Sequence, residues 1–192
     1  MSLLALVLAP LLFQQEAWLP LEKGRTWVYS TSAEIEMVVR VVGEEKLGDV
    51  SCSVVETTFD GRSSREWLGK DEDGVKLFRV RAGVMDVALE EPVLRIRALL
   101  KGGDTWLSVM NDGGTARALH FSVEGPLEVK MGEKRYQCMK VTATSRSGKT
   151  KVVSESWYAK GVGMVRQRHS TGGATLIAEL KRIEVLSGED EK

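Results

Sequence analysis

The chain has few of the residues from which catalytic and metal-binding sites are usually built. Among its 192 residues are two cysteines and two histidines, and 27 basic side chains balance 27 acidic ones. A net charge of zero provides no long-range field to concentrate nucleic acid, so we expect no nucleic-acid partner. His120 and His169 are far apart, and neither has a second ligand at metal-site spacing on its own segment. The composition therefore predicts no metal site and no cofactor.

Long apolar runs are also missing. A bilayer-spanning helix needs about 20 apolar residues, whereas the run at residues 3–13 has 11. Its length and position are typical of a signal-peptide hydrophobic region. We therefore predict a signal peptide over residues 1–17 and a periplasmic or secreted mature chain without a transmembrane span. A buried N-terminal strand or helix is the alternative.

Cys52 and Cys138 allow one disulfide, and each lies in a segment with a strand pattern. An oxidising compartment would permit the bond, which would stabilise the fold by about 4 kcal/mol in the chain-entropy model. The alternative is two buried free thiols that pack as small hydrophobic side chains. Only the geometry of the fold can decide between the two.

Alternation of apolar and polar residues is the main secondary-structure signal. Ile35, Met37, Val39 and Val41 share one side of a predicted half-buried strand. Glycine-containing turns separate about a dozen such runs, and no window carries a helical period. Residues 84–90 fit no pattern well. Besides the strands that contain Thr26 and Met37, predicted strands cover residues 50–59, 65–68, 75–80, 94–99, 106–110, 116–123, 136–144, 151–159, 164–169 and 174–186.

These strands predict an all-β fold, a curved antiparallel meander that forms an open half-barrel or barrel. Little or no helix is expected beyond the N-terminal segment. Residues 18–186 should form a single domain, and residues 187–192, rich in acid and glycine, a disordered tail.

Two motifs resemble nucleotide-binding signatures, and both are better explained as turns. Residues 143–150 read A-T-S-R-S-G-K-T, close to a phosphate loop, but a strand pattern follows where a phosphate loop needs a helix. Gly161 and Gly163 form half of a dinucleotide fingerprint without the third glycine. We predict a hairpin turn at each.

Nothing in the order of the residues selects a nucleophile and its base. Cys138 could lie beside His120 or His169, but no spacing indicates it, and the nucleophile-elbow motif G-x-S-x-G is absent from the sequence. We therefore predict that the protein is not an enzyme, with an unrecognised hydrolase as the least favoured alternative.

Arginine pairs and tryptophans are the remaining candidates for binding. Two pairs at spacing i, i+2 would each share a strand face, and neighbouring strands would place all four in one patch that could bind carboxylate or phosphate. A solvated face with carboxylate partners such as Glu34, Glu36 and Glu90 is favoured. Tryptophans are expected in the core, with ligand lining as the alternative. The arginine pairs are Arg79 with Arg81 and Arg95 with Arg97. The tryptophans are Trp18, Trp27, Trp67, Trp106 and Trp157.

Three segments carry a family resemblance. Residues 18–29 read W-L-P-L-E-K-G-R-T-W-V-Y, residues 102–106 read G-G-D-T-W, and residues 157–165 read W-Y-A-K-G-V-G-M-V. They resemble the P-L-x-x-G-x-x-W-x-Y and W-x-x-x-G-V-G-x-V motifs of a group of secreted bacterial β-proteins, distantly similar to the LolA/LolB-like half-barrels. The resemblance implies a curved antiparallel sheet and an envelope address, and it implies no catalytic residues.

The function expected from the sequence is non-enzymatic binding by an exported envelope protein. A curved sheet could bind a lipid or another apolar ligand, or a partner protein of the envelope. A structural or interaction module with a filled core is the main alternative, and the sequence identifies no ligand-binding residue. The state of the concave face, open or filled, decides between them.

Overall fold

The computed structural model describes residues 17–111 and 116–185. The predicted tail and, apart from Ala17, the predicted signal peptide lie outside the described residues. The described part of the chain forms twelve strands: β1 (Arg25–Thr31), β2 (Met37–Leu47), β3 (Val50–Phe59), β4 (Arg62–Lys70), β5 (Gly74–Ala82), β6 (Met85–Arg97), β7 (Thr105–Asn111), β8 (Ala116–Met131), β9 (Lys134–Ser147), β10 (Thr150–Ala159), β11 (Gly163–Thr171) and β12 (Ala174–Val185).

All twelve strands belong to one antiparallel sheet in the order β6-β5-β4-β3-β2-β1-β12-β11-β10-β9-β8-β7. Neighbours in sequence are neighbours in the sheet, and β1 pairs with β12 to join the two halves. The sheet curls until its two edge strands, β6 and β7, lie side by side, which gives a nearly closed barrel. The predicted all-β antiparallel meander is confirmed.

Side chains, rather than a backbone ladder, join β6 to β7. Within the described residues, no register of paired backbone groups links these two strands. The indole Nε1 of Trp106 instead donates to the carbonyl oxygen of Leu94 at 3.0 Å. At the other end of the seam, the amide of Asn111 donates to the carboxylate of Glu90 at 2.7 Å. The barrel is therefore closed by hydrogen bonds from side chains along one line.

Strand alternation divides the chain between an inner and an outer surface. On β10, Val152, Ser154, Ser156 and Tyr158 all line the interior, two residues apart. Most of the buried apolar side chains form one cluster inside the barrel. Ile35, which the pattern placed on the buried face of a strand, instead lies in the β1–β2 turn and is exposed.

The two cysteines are buried free thiols in different hydrophobic clusters. Cys138 belongs to the inner cluster, whereas Cys52 packs with Val54 and Trp67 in a second, smaller cluster. Because Val55 lines the interior, alternation directs Cys52 and Val54 to the outer surface. The two cysteines stand on β3 and β9, six strands apart in the sheet order. The disulfide that the sequence left open is therefore not formed.

The segment at residues 17–22 covers one end of the barrel. The backbone N–H of Gly161 donates to the carbonyl oxygen of Ala17 at 2.9 Å. The hydroxyl of Ser53 donates to the carbonyl oxygen of Leu21 at 3.2 Å. The side chains of Leu19 and Leu21 line the interior. This segment, named here the cap, closes the end at which β1 begins.

Both nucleotide-like motifs are turns. Residues 143–150 run through β9 into β10, with Gly148 at φ 58° in the hairpin between the strands. Gly161, at φ 71°, lies in the turn before β11. A strand rather than a helix follows each motif, so neither has the helix N-terminus that holds a phosphate.

The structure contains no helix in its described part, and accordingly none that is long and apolar enough to cross a membrane.

Candidate functional site

An apolar chamber lies in the interior of the barrel, next to the cap. It has a volume of about 150 Å³. Its walls are mainly apolar, with a few polar side chains among them. The apolar lining consists of Leu19, Leu21, Trp27, Tyr29, Met37, Val39, Val55, Leu68, Ile96 and Met164.

The aromatic walls of the apolar chamber have their polar atoms bonded away from it. The indole Nε1 of Trp27 donates to the carbonyl oxygen of Val162 at 2.7 Å. The hydroxyl of Tyr29 donates to the carbonyl oxygen of Met164 at 2.9 Å. Burial also raises the pKa of Tyr29, so the phenol remains neutral. The two rings therefore present apolar surface to the chamber.

A second chamber, lined in part by serines, lies beyond the first. It has a volume of about 230 Å³. Its polar lining comes from four strands, β6, β9, β10 and β11. We name it the serine chamber after Ser145, Ser154 and Ser156. Strand β11 contributes two polar lining residues, Gln167 and His169. Arg95, Tyr158 and Gln167 line both chambers.

A β-bulge directs Arg95 into the interior. Lys76 pairs with Leu94 and Val75 with Ile96, so Arg95 is the extra residue of β6 at this point. A bulge turns two successive side chains toward the same face, and both Arg95 and Ile96 line the apolar chamber. The bulge therefore turns the charged side chain of Arg95 to the inner face of the sheet, whereas strict alternation would turn it to the outer face.

Glu66 of β4 neutralises Arg95 within the barrel. Nη1 of the guanidinium lies 3.2 Å from Oε1 of the carboxylate, and the two side chains are 42% and 33% exposed. Both residues line the apolar chamber, so this exposed surface faces the barrel interior. The carboxylate raises the pKa of Arg95. The pair is therefore charged, surrounded by protein and still accessible from the chambers.

Tyr158 stands beside this ion pair, on the strand that carries Ser154 and Ser156. Nε2 of Gln167 donates to the hydroxyl oxygens of the two serines, each at 3.4 Å. Burial raises the pKa of Tyr158, and the charge of Arg95 lowers it in part. The phenol therefore stays neutral and keeps a proton that it can donate. Arg95 and Tyr158 thus present N–H and O–H donors to the same interior.

The four candidate arginines do not form one patch, although β5 and β6 are neighbours. On β5, both arginines bind the carboxylate of Asp86, Arg79 at 2.7 Å and Arg81 at 2.6 Å. Their guanidinium groups cover the Trp67 ring at 4.6 and 5.5 Å. On β6, Arg95 faces the interior, whereas Arg97 lies 5.2 Å from the Trp106 ring.

Carboxylate partners were expected for these arginines, and the partners are Asp86, Glu66 and Glu45. Two of the three expected partners contact other groups. Glu36 pairs with Lys181 and Arg182, and Glu90 accepts from Asn111. The expectation of paired arginines on a strand face is therefore right for Arg79 and Arg81 and wrong for Arg95.

Replacing Asp86 by Asn is expected to lower the free energy of unfolding at neutral pH. Hydrogen bonds from Arg79 and Arg81 lower the pKa of Asp86 from 3.8 to about 2 in the folded chain. A lowered folded-state pKa stabilises the fold above about pH 4, and this contribution is lost as the pH falls toward 2. Urea unfolding of wild type and Asp86→Asn across this window measures the difference.

The difference between the two proteins should shrink from about pH 4 to about pH 2 and should also shrink in 1 M salt, because salt screens exposed charges. A difference that is constant over this pH window would contradict the assignment of the pKa to these ion pairs.

The candidate nucleophile, Cys138, and its two possible bases have different surroundings in the fold. Cys138 packs in the inner cluster, and burial raises the pKa of its thiol to about 11. His169 lines the serine chamber, whereas His120 is exposed on the outside of β8. Residues 17–111 and 116–185 contain no group of three or more histidine, cysteine, aspartate or glutamate side chains that could hold a metal ion.

The five tryptophans divide between the core and the chamber walls. Trp27 is both buried and part of the apolar chamber. Trp106 is buried and stacks on Phe121, with 4.8 Å between the ring centroids. Trp67 belongs to the outer cluster, and Trp18 lies in the cap, 5.2 Å from the ammonium of Lys160. Trp157 is partly buried, with the ammonium of Lys140 5.9 Å from its ring. Core positions are thus found for Trp27 and Trp106, and Trp27 also lines a chamber.

Glu66, Tyr158, Gln167 and the serines of the second chamber belong to no sequence motif that predicts a site. One signal was present, because β10 carries Ser154, Ser156 and Tyr158 on one face and Glu155 on the other. A strand with polar residues on both faces fits poorly against a filled apolar core.

The fold has a counterpart among solved structures. A Bacteroides fragilis NCTC 9343 protein with a YMCC-like fold, provisionally assigned as exported, matches with a TM-score of 0.52 and 15% identity over 88% of this chain and 99% of that chain. A Parabacteroides distasonis ATCC 8503 protein, provisionally assigned as a lipoprotein, matches with a TM-score of 0.47 and 12% identity over the same shares. No protein-family model and no curated protein matches the chain. The first of these likenesses shows a shared fold.

Proposed function

We propose that this chain is an exported protein of the bacterial envelope that binds a small apolar molecule inside its barrel without catalysing a reaction. The observation that carries the proposal is the unfilled apolar space among Trp27, Val39 and Ile96. Protein cores pack to crystal-like density with few voids larger than a water molecule. A dry cavity of about 150 Å³ is large enough for benzene. This space favours a ligand over a module with a filled core.

Export is supported by the N-terminal sequence and by the structural neighbour. The apolar run at residues 3–13 has the length of a signal-peptide hydrophobic region, and the similar Bacteroides fragilis protein is provisionally assigned as exported. The motifs at residues 18–29 and 157–165 resemble those of secreted proteins. Fractionation of cells followed by N-terminal sequencing tests this part, and a cytosolic chain that retains Met1 would overturn it.

A non-enzymatic role is supported by the state of the candidate nucleophile, the thiol of Cys138. The thiolate is the nucleophilic form of cysteine. Burial raises the pKa of Cys138 to about 11, so the neutral thiol predominates at neutral pH. The aromatic walls of the apolar chamber also direct their polar groups into backbone hydrogen bonds, which leaves a surface suited to binding.

Val39→Phe is expected to abolish or strongly weaken the binding of small apolar probes. Val39 lines the apolar chamber, and a phenyl ring at this position would occupy much of the volume that a probe needs. We expect a loss of at least about tenfold in affinity for 2-phenylethanol and for 1-hexanol. Titrations followed by the chemical shifts of backbone amides measure both affinity and the location of binding.

Val38→Phe is the matched control, because Val38 precedes Val39 on β2 and alternation directs its side chain to the outer surface. Val38→Phe should bind both probes with wild-type affinity. Equal binding by the two variants, or shifts located outside the chambers, would place the probes elsewhere. No binding of either probe to wild type would overturn the proposed function.

A further inference from the structure

We infer that the barrel interior selects a small monocarboxylate, whose carboxylate is bound by Arg95 and Tyr158 and whose apolar body occupies the apolar chamber. The inference rests on the proposed function and adds the chemistry of the head group. It follows from the polar residues that the two chambers share, since a ligand in the apolar chamber would contact them first.

Arg95 retains most of its hydrogen-bonding capacity. A guanidinium has five N–H donors in a planar fork, and the contact with Glu66 is made by Nη1. The side chain is 42% exposed and lines both chambers. A second carboxylate can therefore approach the remaining edge of the fork in the bidentate geometry that arginine favours.

Tyr158 adds a donor on the same side. Its side chain lines both chambers, as Arg95 does, and a phenolic hydroxyl can donate its proton to a ligand oxygen. Gln167 uses the hydroxyl oxygens of Ser154 and Ser156 as acceptors, which leaves the proton of Ser154 free to reorient. The polar residues where the chambers meet thus offer donors to a ligand that brings acceptors.

The charge balance favours a monoanion with a short or compact body. Glu66 neutralises Arg95 before any ligand enters, so each added negative charge is uncompensated and a phosphate dianion would cost more than a carboxylate. The apolar chamber of about 150 Å³ suits a phenyl ring or a short acyl chain. Both kinds of body can carry the same head group.

Matched pairs of probes test the head group directly. Phenylacetate is compared with 2-phenylethanol, and hexanoate with 1-hexanol, by titration of the full chain followed by amide chemical shifts. In an apolar cavity without a carboxylate site, each alcohol would bind better than its acid, because burial of an unpaired charge is costly. We expect each acid to bind about tenfold or more tightly than its alcohol. The two pairs also distinguish an aromatic from an acyl body.

Three variants assign the preference to named groups. Arg95→Gln combined with Glu66→Gln removes both charges without leaving either group unpaired, and it should weaken the acids about 10- to 100-fold while the alcohols change little. Glu66→Gln alone should strengthen the acids, because it removes a competing carboxylate. Arg97→Gln, two residues further on the same strand and stacked on Trp106, should leave all four affinities unchanged.

The outcomes separate this inference from the proposed function. Alcohols that bind as tightly as the acids, or a double variant that keeps the wild-type ratio of acid to alcohol, would overturn the carboxylate site and leave apolar binding intact. Preference for hexyl phosphate over hexanoate would also overturn it. Failure of all four probes to bind would overturn the proposed function itself.

Discussion

Gly163→Ala is expected to destabilise the barrel by about 2–5 kcal/mol, from backbone strain and from overpacking together. Gly163 has φ +100°, a region that L-residues rarely adopt, and an added Cβ would lie 3.0 Å from Nε1 of Trp27 and 3.3 Å from its ring. The ring cannot move freely, because its N–H is bonded to the carbonyl oxygen of Val162 at 2.7 Å. Urea unfolding monitored by tryptophan fluorescence measures the change.

Gly173→Ala separates the two contributions. Gly173 has a similar φ of +89°, but no atom lies within 4 Å of an added Cβ. This variant should lose only the backbone part, about 1–2 kcal/mol. If both variants lose the same amount, the contact with Trp27 contributes nothing and the close packing of Gly163 against this wall of the apolar chamber is contradicted.

The sequence predicts the fold well wherever alternation is regular. The segment at residues 50–59 was assigned a strand, and β3 spans Val50–Phe59. By contrast, β6 (Met85–Arg97) joins most of the predicted strand 94–99 to most of the unassigned residues 84–90. Leu77 pairs with Val93 and Arg79 with Ala88, so four residues of β6 oppose a single residue of β5. Pro92 lies within this bulge, where it needs no ladder hydrogen bond. Irregular registers of this kind cannot be read from a period of two.

The candidate site depends on the same irregularity, which explains why it was not predicted. Strict alternation places Arg95 and Arg97 on one face, but the bulge turns Arg95 inward beside Ile96. Its partner Glu66 is 29 residues away in sequence, and only the β4–β5–β6 register brings the two together. Alternation alone also cannot tell which face of a closed sheet is the inside when both faces carry polar residues.

Trp106→Ala is expected to lower the free energy of unfolding by about 3–5 kcal/mol, the range for removal of a large buried aromatic side chain. Trp106 is buried and holds the seam in three ways. Its indole donates to the Leu94 carbonyl across the seam at 3.0 Å, stacks on Phe121 with an interplanar angle of 4°, and supports the Arg97 guanidinium at 5.2 Å. The alanine variant loses all three contacts and leaves a cavity between β6 and β7. Urea unfolding at neutral pH measures the loss.

Trp106→Phe distinguishes the hydrogen bond from the packing. A phenyl ring can keep the stack on Phe121, but it has no N–H to donate. The Leu94 carbonyl then retains its 3.4 Å bond from the Ser108 hydroxyl and loses its indole partner, at a cost of about 0.5–1.5 kcal/mol. Because side chains rather than a backbone ladder join β6 to β7, this bond has no neighbouring ladder bond to compensate for it. A phenylalanine variant as stable as wild type would contradict a seam held by the indole N–H. An alanine variant that loses less than about 1 kcal/mol would contradict any role of Trp106 in closing the barrel.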